Sequence, residues 1–125
     1  MKKEFLAKAR QNLRAAELLS ENGLYDASAN RSYYAALHAA VAALSAAGIR
    51  TERISHETTQ SNFSAELIRR RKIYPGHLRS YLSDLQRVRN NADYRIKFVS
   101  KKIALRQLRK AEEFLAKIYE ELQDV

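Results

Sequence analysis

Asn30-Arg31-Ser32-Tyr33-Tyr34-Ala35-Ala36-Leu37-His38-Ala39-Ala40, continued by Val41-Ala42-Ala43-Leu44-Ser45-Ala46-Ala47-Gly48, is the stretch on which the fold turns. Alanine combines the highest helix propensity with little side-chain bulk, so a helix of this composition lets its neighbours come close. Tyr34, Leu37, Val41 and Leu44 share one face at helical spacing, and Ala36, Ala40, Ala43 and Ala47 line another. Apolar surface thus wraps further round the cylinder than a surface helix needs. The spacing predicts the central helix of a bundle, closed by Gly48 as a left-handed cap. Its polar members, Asn30, Arg31, Ser32, His38 and Ser45, call for a reason other than packing.

Outward from this stretch the chain keeps the same grammar. Between Lys2 and Asn22, Leu6, Ala9, Leu13 and Ala16 fall three and four apart among charged residues, which predicts an amphipathic first helix. Asn22-Gly23 breaks it, and a connection that short forces an antiparallel hairpin with the alanine-rich helix. Beyond a polar connection, Ser55 suits an N-cap, and Thr59, Phe63 and Leu67 give a third helix its apolar stripe. Arg69-Arg70-Arg71-Lys72 closes that helix with cations, the sign that suits its negative end. The run reads equally as solvated cations or as a phosphate attractor, since no aromatic residue interleaves it.

Pro75-Gly76 then stops the chain, because proline removes a donor and glycine permits the turn. A fourth helix starts near His77 with a seam of Leu78, Tyr81, Leu85, Val88 and Ala92. Ser100 suits an N-cap for a fifth, whose Ala104, Leu108, Ala111, Leu115, Ile118 and Leu122 repeat to the end at Val125. The breaks leave helices short enough to fold back on one another. The expectation is an all-α fold, an up-and-down antiparallel bundle of four main helices with a short extra one, as a single domain over residues 1–125.

A chain of 125 residues suits one domain with a real core. It has no cysteine, which excludes disulfides, thiolate metal sites and a cysteine nucleophile. No apolar run approaches spanning length and the start is charged, so no membrane association and a cytoplasmic location are expected. The formal net charge of +9 draws polyanions through the field of the whole surface, making nucleic acid the first partner to consider. A basic surface kept for solubility, or one matched to an acidic protein, is the alternative. The three histidines lack the spacing of a metal site, and neither a metal nor another cofactor is expected.

Arg89 and Asp93 stand at i and i+4, so they face each other on the fourth helix, with Arg87, Tyr94, Arg95 and Lys97 nearby. As an exposed ion pair they would contribute only ~0.3–0.5 kcal/mol. The cation density around them instead suggests a surface for RNA or nucleotide made of Arg87, Arg89, Arg95, Lys97 and Arg31. Asn30, Arg31 and Tyr33 or Tyr34 could equally join Arg89 and Asp93 in a polar network inside the bundle or at a dimer seam. His38, on the alanine-rich helix, reads as a hydrogen-bonded core histidine, and His56 as a residue of a helix start.

Asn30-Arg31-Ser32-Tyr33-Tyr34-Ala35-Ala36-Leu37-His38-Ala39 resembles the second-helix signature of the HEPN family (higher eukaryotes and prokaryotes nucleotide-binding). Arg89-Asn90-Asn91-Ala92-Asp93-Tyr94 resembles the Arg-x-x-x-Asp-Tyr motif of one branch of it. In members that cut RNA, the resemblance implies an arginine followed four to six residues later by a histidine, the motifs of two subunits meeting across a homodimer. Arg89 matches the arginine, but Tyr94 stands where the histidine would, and a phenol of ordinary pKa about 10 is a poor base near neutrality. The resemblance therefore implies a module that binds RNA or nucleotide and pairs with a minimal nucleotidyltransferase in a toxin–antitoxin-like system. A metal-independent endoribonuclease is the alternative, with Arg89 stabilising charge and Asp93 or Tyr94 assisting proton transfer. A helical adaptor is the second.

Overall fold

In the computed structural model, residues 2–49 and 56–123 are described. Helix α1 spans Lys2–Glu21, α2 Tyr25–Ala46, α3 His56–Asn62, α4 His77–Tyr94 and α5 Lys101–Gln123, and α3 runs on as a π-helix over Phe63–Arg70. Helix α2 touches all the others, and from Ala35 to Leu44 only His38 escapes full burial. That is the central helix the alanines predict. Four long helices, α1, α2, α4 and α5, make the all-α up-and-down bundle, and α3 with its π continuation is the short extra element. Among the described residues no helix is long and apolar enough to cross a membrane.

Both ends predicted from glycine close in the same way. Gly23 and Gly48 adopt φ of 75° and 79°. At the second, the Gly48 N–H reaches Ser45 O at 3.0 Å and the Ile49 N–H reaches Leu44 O at 2.9 Å. These paired bonds satisfy carbonyls that the end of a helix would otherwise orphan. Ser28 Oγ donates to Ala16 O at 2.8 Å and pins the α1–α2 hairpin from inside.

The core fills with Tyr33, Leu37 and Leu44 from α2, Leu78, Leu82 and Leu85 from α4, and Phe114 and Ile118 from α5. Each such side chain is worth about 1.5–3 kcal/mol of burial. The α4 seam includes Leu82, with Tyr81 only half-buried at its margin, which corrects the predicted series. On α5 the inward face also takes Phe114 and Gln107. Ser100 does cap α5, its Oγ accepting the Ile103 N–H at 3.2 Å. The predicted cap Ser55 lies outside the described residues, as does the last residue of the predicted fifth helix, Val125.

The third segment departs from a plain α-helix. Thr59, Phe63 and Leu67 are fully buried as predicted, but Arg71 N–H bonds to Glu66 O, five residues back, at 3.0 Å. The apolar positions advance by four and four, never three, and wider winding keeps such a row on one side. Phe63 is thereby stacked on Tyr74, ring centroids 5.4 Å apart, and set 5.3 Å from Phe114.

Helix α4 stops at Tyr94, and Arg95 is already extended at φ −103° and ψ 151°. Arg95 and Lys97, placed on the fourth helix by the sequence reading, therefore lie beyond its end. The segment they belong to is anchored at its far side. Val99 is buried against Ala29, Val88, Ala92 and Ala104, and its N–H donates to Asp26 Oδ1 at 2.7 Å.

Candidate functional site

Asn30, in the second turn of α2, meets the end of α4. Asn30 Nδ2 donates to both carboxylate oxygens of Asp93, at 3.2 and 3.0 Å. Arg89 Nε is 2.9 Å from Asp93 Oδ2, although its N–H is not aimed at that oxygen, so charge attraction holds this contact. The directed bonds of Arg89 go from Nη2 to Tyr34 Oη at 3.0 Å and from Nη1 to Asn90 Oδ1 at 3.1 Å. Arg31 Nε donates to Asn30 Oδ1 at 2.9 Å and Nη1 to Asn12 Oδ1 at 2.9 Å. Both guanidinium groups lie over the Tyr34 ring, 4.9 Å from its centroid for Arg31 and 5.4 Å for Arg89.

The predicted network of Asn30, Arg31, Arg89 and Asp93 is thus present, and Tyr34 is the tyrosine in it. Tyr33 instead turns into the core, where burial pushes its hydroxyl up to about 12 against the pull of the Gln60 amide. The Arg89 and Asp93 side chains are only 16% and 25% exposed, which corrects their reading as an open surface pair. They clamp α4 to α2. The cluster holds two guanidinium groups and one carboxylate, of which only Arg89 is paired with Asp93, and that excess of positive charge suits an incoming phosphate.

Asn12 and His38 extend the cluster and were not assigned to it from sequence. Asn12 Nδ2 lies 3.0 Å from His38 Nδ1 and donates to Lys8 O at 3.0 Å. Because Arg31 can only donate, it fixes Oδ1 of Asn12 toward itself and leaves the amide nitrogen facing His38. His38 Nδ1 must then accept, which requires the neutral ring. Burial, with Lys8 and Arg31 adding to it, lowers the His38 pKa. The sequence carried a trace of this in the single polar position between Ala35 and Leu44, which alanine would have filled had packing alone mattered.

The remaining predicted contacts lie elsewhere. Arg87, Arg95 and Lys97 line a groove of about 600 Å³ between α4, the segment that follows it and α5. Helical arithmetic explains the division. Arg87, Val88 and Asn91 share one face of α4, while Arg89 and Asp93 share another that meets α2. In the groove wall Asp84 gathers Arg87, Lys110 and Gln107. Burial raises the Asp84 pKa, but these donors outweigh it and hold the carboxyl down to about 2. Tyr94, the last residue of α4, is 76% exposed, with its ring centroid 5.8 Å from the Arg89 guanidinium.

Comparison with known proteins agrees with these two signatures. A family model described as HEPN domain matches residues 3–122. UPF0332 protein glr0978 of Gloeobacter violaceus is 34% identical over 91 residues, 73% of this chain and 70% of that protein. The family model takes in nearly the whole bundle, including both helices that meet at Asn30 and Asp93, and the chain belongs to the HEPN family.

Proposed function

We propose that the chain is an RNA- or nucleotide-binding HEPN module, that its phosphate contact is the Arg89 cluster, and that it acts with a small nucleotidyltransferase in a toxin–antitoxin-like pair. The observation that carries the binding site is the ordering of Arg89. Tyr34, Asn90 and Asp93 hold its guanidinium before any ligand arrives, so less freedom is lost when the planar fork meets a phosphate. Arg31 stands beside it, and the net charge of +9 favours the encounter. The pairing with a nucleotidyltransferase and a two-fold homodimer rest on the family resemblance. Light scattering at micromolar concentration tests the dimer, which a monomeric mass would remove.

A second reading, a metal-independent endoribonuclease, is favoured by the contact between Tyr94 and Arg89. Against Asp93 as its base, that carboxylate already accepts two bonds from Asn30 and faces Arg89. One experiment separates the readings: the protein is incubated with a panel of RNAs in chelator, and both binding and cleavage are followed. Salt-sensitive binding without cleavage, weakened in Arg89→Ala and in Arg89→Lys, supports the module. Cleavage that disappears in Tyr94→Phe supports the nuclease. Wild-type protein that neither binds nor cuts supports the adaptor.

A further inference from the structure

We infer that the groove between α4, the segment that follows it and α5 is a separate subsite for a base and phosphate of single-stranded RNA, with Phe98 as the stacking platform. The inference rests on the proposed RNA binding and adds to it a second contact and a preference for unpaired strands.

The segment that follows α4 presents Phe98 82% exposed and Ile96 99% exposed, close to a side chain, Val99, that is buried. An exposed aromatic ring next to an anchored residue, Val99, which is packed and tied to Asp26, offers a flat face to a ligand. The groove beside it has the volume of a small-molecule site, about 600 Å³. Its cations fall into two kinds. Arg87 and Lys110 are engaged by Asp84. Arg95, Lys97 and Arg106 are exposed, line the same groove, and form no ion pair shown among the described residues.

The order of residues decides between nucleic acid and protein. Tyr94, Arg95, Ile96, Lys97 and Phe98 interleave flat or apolar groups with cations one by one. A protein interface wants a contiguous apolar centre with the charges at its rim. A nucleotide strand wants a flat face with cations beside it, and the groove sets Phe98 next to Arg95 and Lys97. Bases in a duplex have their faces covered, so only an unpaired strand can stack on Phe98. Asn91 and Ser100, also in the groove wall, supply hydrogen-bonding groups beside the ring.

The test is fluorescence anisotropy with a labelled single-stranded oligoadenylate of about ten nucleotides, the same strand annealed to its complement, and unlabelled polyphosphate and polyglutamate as competitors. Phe98→Ala is expected to weaken single-strand binding roughly 5- to 150-fold, with Phe98→Trp restoring it and the melting temperature unchanged, since the ring is exposed. Polyphosphate should compete equally well against both proteins. Equal affinity of Phe98→Ala and wild type, with Arg89→Ala impaired, overturns the subsite and leaves the RNA reading standing. Equal binding of duplex also overturns it and leaves a contact to phosphate alone, and displacement by polyglutamate that depends on Phe98 overturns it in favour of an acidic protein partner. Wild type that binds no strand removes both readings together.

Discussion

Asn12 has only one workable orientation, and its consequence is a pH dependence. Arg31 donates to its carbonyl and so forces its amide hydrogens toward His38. The His38 ring is in contact with Phe5 and Tyr34, with Lys8 and Arg31 the cations nearby, so a proton added there is disfavoured. The folded pKa is lowered, so below the unfolded value of about 6.5 the unfolded chain binds the proton more readily. Stability from this group is complete above that value and is lost as pH falls below it. Thermal melts between about pH 7.5 and 5.5 should show a falling midpoint, and His38→Gln should flatten that part of the curve. At Arg89 the limited exposure changes what truncation does. Arg89→Ala removes the charge contact with Asp93 and the bond to the Tyr34 hydroxyl, and should cost about 1–3 kcal/mol in urea unfolding as well as weaken binding. Arg89→Lys keeps the charge without the fork, so it should retain more stability than binding.

Helix ends carry the next set of consequences. A Cβ at Gly48 would meet nothing within 4 Å, so Gly48→Ala tests the backbone alone. The cost of placing alanine at φ 79° should be on the order of 1 kcal/mol, read as a lower denaturation midpoint with an unchanged slope. These ends were legible in the sequence because glycine and proline act locally. The apolar seams were legible too, with errors of one position where a tyrosine is involved: Tyr81 for Leu82 on α4, and on α2 Tyr34 where the core takes Tyr33. A residue with an apolar ring and a polar tip satisfies the period from inside or from the margin, and only the partner of its hydroxyl decides. The π winding left only the unbroken four-residue steps of Thr59, Phe63 and Leu67. The network of Asn30, Arg31, Arg89 and Asp93 was readable because two motifs on neighbouring helices need a common purpose. Its division from Arg87, Arg95 and Lys97 was not, since that follows from α4 ending at Tyr94 and turning two faces to different neighbours.

For the whole molecule, the alanines of α2 set how closely four helices can stand round a fifth element of the core. Ala40 has no exposed surface, and Ala40→Leu should destabilise by about 1–3 kcal/mol or more, as seen in thermal and denaturant unfolding, because the surrounding helices cannot all withdraw. The bond from Val99 to Asp26 has a different kind of consequence, in the order of folding. It joins positions 73 apart in sequence, whereas α1 and α2 close a hairpin through Asn22–Leu24. Local hairpins form at little loop-closure cost and distant contacts come late. The wall that carries Phe98 is therefore among the last surfaces to be completed, and a chain still emerging or partly unfolded holds the alanine helix without the groove.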